Sequence, residues 1–118
     1  MAGNLVELAR RYHAALNAFD FAAVEAMFAS DAEYHSPSVG VIAGRAAILK
    51  AMRAYFAEYS DQIATDDILE QAGSDSVRCE WHLRATAKST GEPYVRKGKE
   101  RLVFTPGGLI RRIEVQDL

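Results

Sequence analysis

The sequence predicts an α+β fold, a cone-shaped barrel in which three N-terminal helices pack on a curved four-stranded antiparallel sheet with a short extra edge strand. Three observations predict it. Apolar residues recur at helical spacing as far as Tyr59 and alternate with polar ones beyond it. Turn signals at Gly73-Ser74-Asp75, Thr90-Gly91 and Pro106-Gly107-Gly108 divide the second half into four runs. Short turns between consecutive strands demand antiparallel pairing, and helices that precede such a meander must cover one of its faces. A curved sheet wrapped over helices leaves a cavity between the layers.

Each element has its own signature. Leu5, Leu8, Ala9, Tyr12, Leu16 and Phe19 form one stripe, so a first helix runs from about Asn4 to Ala18 with Asn4 as its N-cap. Asp20 caps a shorter second helix built on Phe21, Val24, Met27 and Phe28 and closed by Ser30-Asp31. Glu33 to Pro37 reads as extended, because Pro37 pushes Ser36 out of the helical region. Gly40 and Gly44 bracket a short Val41-Ile42 segment, a small hairpin or a loop. Ile48, Leu49, Met52, Tyr55, Phe56 and Tyr59 mark a third helix between Arg45 and Tyr59. Strands follow at about 63–72, 76–88, 93–105 and 109–117. The second is the clearest, with Val77, Cys79, Trp81, Leu83 and Ala85 alternating with Arg78, Glu80, His82 and Arg84.

Composition bounds the function. The 118 residues are read as a single domain spanning 1–118, large enough to bury a core. A net charge of −2 gives no general attraction for nucleic acid or acidic lipid. The charge is uneven. The first 76 residues carry five Lys/Arg and eleven Asp/Glu, the remainder nine and five, which makes the helical half acidic and the strand half basic. No aromatic-plus-basic motif accompanies the basic half, so nucleic-acid binding is not expected. Cys79 is alone, which excludes a disulfide framework and argues against a Cys-based metal site. No basic-then-apolar leader and no membrane-length apolar run is visible, so a cytoplasmic location is expected. No Gly-rich phosphate loop or nucleophile signature is present, and no two histidines have ligand spacing, so neither cofactor nor metal is expected.

Several stretches carry a resemblance. They are Arg-Tyr-x-Ala-Ala-Leu-Asn-Ala-x-Asp at 11–20, Met27-Phe28-Ala29-x-Asp31-Ala32, Ser36-Pro37, the helix start Gly44-Arg45-x-x-Ile48, and Leu102-Val103-Phe104 before a Gly turn. With these the chain resembles the nuclear transport factor 2-like superfamily, within it the ketosteroid isomerases and SnoaL-like polyketide cyclases, over nearly its whole length. The resemblance implies the cone-shaped fold and a homodimer formed through the outer sheet face. It places Tyr12 at the isomerases' oxyanion-hole tyrosine and Glu100 at their second, protonated donor. It places Ser36 where those enzymes carry the proton-shuttling aspartate, which serine cannot replace unaided. Asp117 lies near the acid/base aspartate of the cyclases' last strand.

Glu100, Leu102 and Phe104 share one face of their strand, while Lys99, Arg101 and Val103 share the other, so Glu100 is expected inside. Burial disfavours a charged carboxylate, and a neutral Glu100 would donate to a ligand carbonyl beside Tyr12. The competing reading pairs Glu100 with a nearby Arg and leaves Tyr12 as packing. Asp117 shares a face with Ile113 and Val115 and would serve as base if inside; otherwise it is a terminal residue in water. His35 is the other candidate base. It faces out if Ser36 faces in, unless the Pro37 kink reverses them. Tyr34, Ser36, Tyr55, Phe56, Trp81, Leu102 and Phe104 are the expected ligand contacts, although core packing accounts for most of them equally well. The reading is a pocket for a small apolar carbonyl compound that moves a proton beside that carbonyl. The alternative is a non-catalytic ligand-binding or protein-interaction protein of the same fold.

Overall fold

The computed structural model describes residues 4–37 and 39–118. The reading of the first three residues as lacking a secretory leader lies outside them. The elements run α1 (Leu5–Asn17), α2 (Phe21–Ala26), β1 (Phe28–Ser36), β2 (Gly40–Ala43), α3 (Arg45–Glu58), β3 (Ile63–Gln71), β4 (Ser76–Thr86), β5 (Pro93–Phe104) and β6 (Ile110–Asp117).

The helix boundaries follow side-chain chemistry. Asn4 Oδ1 accepts the Glu7 amide at 3.2 Å, and Asp20 Oδ1 accepts the Ala23 amide at 3.1 Å, so both expected caps form. Between them the chain turns through Phe19 at φ 58°, with the Phe19 amide donating to Leu16 O at 3.0 Å and the Asp20 amide to Ala15 O at 2.9 Å. This is a helix C-terminal motif that usually takes glycine at the left-handed position. Phenylalanine there costs backbone strain, offset by its ring seating edge-on to Phe21 and Phe56.

The sheet differs from expectation in number and sense. It has six strands in the order β2-β1-β6-β5-β4-β3, and β1 runs parallel to β6 while every other pairing is antiparallel. The four-strand meander β3 to β6 is as the sequence predicts. The addition is β1, a nine-residue strand that starts where the second helix was expected to continue. Its pairing with β6 shifts register between Phe28 and Glu33, so Phe28, Ala29 and Ala32 are buried together instead of alternating. That irregularity imitates helical spacing and hides the strand. The Val41-Ile42 segment is the hairpin partner, with Tyr34 opposite Ile42.

The helices cover one face of this sheet: α1 lies against β3 and β4, and α3 against β1 and β2. Val77, Cys79, Trp81, Leu83 and Ala85 of β4 and Leu102 and Phe104 of β5 point inward and are buried, which confirms the alternation read for those strands. Among the described residues no helix is long and apolar enough to cross a membrane.

Candidate functional site

The two layers do not close completely. A cavity of about 150 Å³ remains between α1, α3 and the concave face of the sheet. One side of it is apolar, made by Leu16, Ile42, Ile48, Met52, Phe56 and Leu83. The opposite wall is polar and holds Tyr12, His13, Asp66 and Glu100, with Tyr34 and Arg96 beside them.

Three side chains of that wall form a continuous array. His13 Nδ1 lies 2.7 Å from Asp66 Oδ1, and His13 Nε2 lies 2.7 Å from Glu100 Oε1. The His13 and Glu100 side chains are 13% and 6% exposed, so water screens their contact little, whereas the Asp66 end of the array is open to solvent. Three elements bring them together. His13 follows Tyr12 on α1 and borders its buried stripe. Asp66 is turned inward by a bulge in β3, where Asp66 pairs with Trp81 but Ile68 with Glu80, so Asp67 is extra and faces out to His82. Glu100 sits on the inner face of β5, directly across from Cys79 of β4. Burial by itself would lower the His13 pKa. The Glu100 charge, the hydrogen bonds to Asp66 and Glu100 and the Asp66 charge outweigh it and raise the value to about 10. His13 is therefore an imidazolium at neutral pH, donating from both nitrogens.

Beside the array stand two buried phenols. Burial, then the nearby Glu100 charge, pushes Tyr12 and Tyr34 far above the ordinary tyrosine value, so both stay neutral and able to donate. Farther round the cavity, Tyr55 donates through its hydroxyl to Gln62 Oε1. The Arg96 guanidinium stacks 5.4 Å from the Trp81 ring centre and reaches Asp117 Oδ1 at 2.5 Å. Trp81 lies across Gly98. A Cβ on that glycine would come within 2.5 Å of the indole, so Gly98 is what lets the ring lie flat against β5.

Of the residues singled out from sequence, Tyr12, Tyr34, Ser36, Tyr55, Phe56, Trp81 and Glu100 line the cavity. Four do not. Leu102 and Phe104 are 0% and 2% exposed and belong to the core beneath the cavity, because β5 runs on past its end. Asp117 is a strand-end residue whose exposed carboxylate reaches the cavity only through Arg96. His35 points to the opposite side from Ser36, as strand alternation requires, and bonds Glu33 Oε1 at 2.8 Å. The Glu100 partner also differs from expectation. It is neither an Arg nor a ligand carbonyl but His13, and a doubly protonated imidazole has only donors, so Glu100 accepts.

Sequence reasoning missed His13, Asp66, Gln62 and Arg96. It also argued against a Cys-based metal site. Yet one imidazole nitrogen of His13, the Cys79 Sγ and a Glu100 carboxylate oxygen lie within 4.8 Å of one another. A usable signal existed on α1: His13 and Asn17 are polar residues at i and i+4 flanking the apolar stripe. Asn17 meets β3 there, donating to Ala64 O at 2.9 Å and accepting the Ala64 amide at 3.0 Å.

The sequence model of a SnoaL-like domain family matches residues 9–113. Among solved structures, SalBIII, an epoxide hydrolase/cyclase-like enzyme with a role in pyran ring formation in the polyether salinomycin, is similar with a TM-score of 0.88 at 18% identity, over 100% of this chain and 95% of that one. An NTF2-like protein of unknown function from Burkholderia pseudomallei K96243 gives a TM-score of 0.85 at 18% identity, over 98% and 92%. A hypothetical protein with a ketosteroid isomerase-like fold from Catenulispora acidiphila DSM 44928, in complex with trimethylamine, gives 0.81 at 22% identity, over 93% and 84%. At these identities the likeness is one of fold. No protein of curated function matches the sequence.

Proposed function

The chain belongs to the SnoaL-like domain family, and from that premise we propose that its cavity performs acid–base chemistry on a small apolar carbonyl compound. The observation that carries the proposal is the Asp66–His13–Glu100 array in the wall of a cavity whose other side is apolar. Glu100 is the base. It takes a proton from the carbon beside the carbonyl, and the electron pair of that C–H bond moves onto the carbonyl oxygen. Tyr12 and Tyr34, the neutral phenols, donate to the enolate oxygen so formed. The proton on Glu100 then returns to the same carbon or to a conjugated one. His13 is a positioning residue: it fixes the carboxylate, and Asp66 fixes His13 from behind. The imidazolium also offsets negative charge as it moves from carboxylate to enolate.

The size of the cavity narrows the substrate. A cavity of roughly 150 Å³ accommodates a benzene-sized molecule, so a single-ring ketone or enone is the fitting class. A carboxylate base on the inner sheet face takes the place of the one absent at Ser36.

The test is solvent-deuterium exchange into 2-cyclohexenone, followed by NMR. The protein should speed exchange at the acidic carbons. Glu100→Gln should slow it by about 100-fold or more, the usual worth of a positioned base, and Tyr12→Phe by about 100-fold, the usual worth of an oxyanion donor. Exchange no faster than in buffer, with the ketone bound as reported by Trp81 fluorescence, would overturn the catalytic reading in favour of a binding pocket.

A further inference from the structure

The array has a third face that proton transfer leaves unused. Cys79 lies behind the wall formed by His13 and Glu100. It is 1% exposed, and among the described residues its thiol has no hydrogen-bond partner. It faces Glu100 directly across the β4–β5 ladder. The His13 nitrogen, the Cys79 sulfur and a Glu100 oxygen are all within 4.8 Å of one another. The remaining His13 nitrogen, Nδ1, is held by Asp66 at 2.7 Å.

We propose that His13 Nε2, Cys79 Sγ and Glu100 form a three-ligand site for a zinc-class divalent ion, with Asp66 as the carboxylate that orients the histidine. Nitrogen, thiolate sulfur and carboxylate oxygen together suit zinc or cobalt and not magnesium or calcium, which take oxygen alone. Tetrahedral zinc bonds of 2.0–2.3 Å set ligand atoms roughly 3.4–3.7 Å apart. The imidazole and carboxylate must therefore separate by about 0.7 Å, and the sulfur must close by about 1 Å at most. A carboxylate on the far nitrogen of a ligating histidine is the usual support that fixes its tautomer. Because His13 and Glu100 line the cavity and Cys79 lies behind them, the fourth coordination position faces the cavity. A three-ligand site with one open position is the pattern of catalytic zinc.

Binding is balanced by protons. The metal replaces the Nε2 proton of His13 and the thiol proton of Cys79, so two protons leave and the site gains no net charge. The inference does not depend on the proton-transfer reading. A metal that takes Glu100 withdraws the base, so the two activities exclude each other at one site.

The experiment uses chelator-treated full-length protein and cobalt(II) as the probe. One equivalent should be retained through gel filtration. It should give the visible bands of a tetrahedral site and a near-ultraviolet thiolate-to-cobalt charge-transfer band, with two protons released per ion into a weakly buffered indicator. Cys79→Ser should abolish the charge-transfer band. Asp66→Asn should weaken affinity by about 10–100-fold, the usual effect of losing such a support. Cobalt that stays octahedral or washes out of the wild-type protein would overturn the site, as would an unchanged ultraviolet band in Cys79→Ser. Ketone exchange run with chelator reports the base alone, so either proposal can fail while the other stands.

Discussion

Two histidine–carboxylate contacts of nearly equal length stand on opposite sides of one sheet. Inside, His13 meets Glu100 at 2.7 Å; outside, His35 meets Glu33 at 2.8 Å. Distance does not separate them; surroundings do. Both partners of the inner pair are largely hidden, and a second carboxylate, Asp66, holds the far nitrogen. Glu33 is about half exposed, and among the described residues no second acid bonds His35. Low dielectric makes the inner contact strong and makes breaking it costly, whereas water weakens the outer one. The same two residue types therefore build a buried pair on one face and a surface contact on the other.

The largest expected effect tests that difference directly. Glu100→Gln leaves the largely buried His13 charge with one partner instead of two. Removing one member of a buried pair costs about 3 kcal/mol or more. Urea unfolding should show a loss of that order, while Glu33→Gln should leave the midpoint essentially where it was. Equal losses at the two positions would mean that burial does not distinguish the pairs.

Much of this contrast was legible in the sequence, and the illegible part has a physical cause. Strict alternation in β4 and β5 put Trp81 and Glu100 inside, because a two-residue period leaves no freedom once one face is buried. The stripe on α1 did the same for Tyr12. His13 sits one step off that stripe, so the helical period alone does not put it inside. It is enclosed only because the sheet curls under α1, and that curl is a long-range property. Asp66 is hidden by the bulge at Asp66-Asp67, which changes the alternation of β3 midway. The parallel pairing of β1 with β6 joins segments far apart in the chain, and no local pattern encodes it. For Asp117 the sequence left two readings open, and the exposed one holds, because at a strand end alternation gives the face but not the burial.

The next effect is a pH dependence of opposite sign for the two pairs. His13 titrates near its ordinary 6.5 when unfolded and near about 10 when folded. The folded state therefore holds the proton more tightly. The stability this contributes is full below 6.5 and drains away as pH rises through about 10. Glu33 is shifted the other way, lowered by its hydrogen bond to His35. Whatever it contributes is present above the ordinary carboxylate range and lost on acidification. Unfolding midpoints of the wild type and His13→Gln should converge as pH climbs across the 6.5 to 10 window. A gap that stays constant there would show that His13 carries no proton in the folded protein.

The smallest effect concerns salt, and it isolates the cause of the contrast. Solvent ions screen charges that water reaches: the Debye length falls from about 8 Å at physiological ionic strength to about 3 Å at 1 M. The His35–Glu33 contact and the His82–Asp67 contact, whose side chains are about half exposed, lie open to that screening. The His13–Glu100 contact does not, because little solvent reaches either partner. A double-mutant cycle at each pair, repeated at low and high salt, measures the coupling without the background of each single change. The two outer couplings should be small at low salt and vanish at high salt. The inner coupling should be several-fold larger and almost unchanged, since no counter-ion can enter the wall. If the inner coupling also collapsed in salt, the wall would have to be wet. A wet wall would leave Glu100 without the buried surroundings on which the proposed proton transfer relies, and the exchange experiment should then fail as well. The salt series thus ties a difference in stability to the same physical property on which the proposed chemistry of the cavity depends.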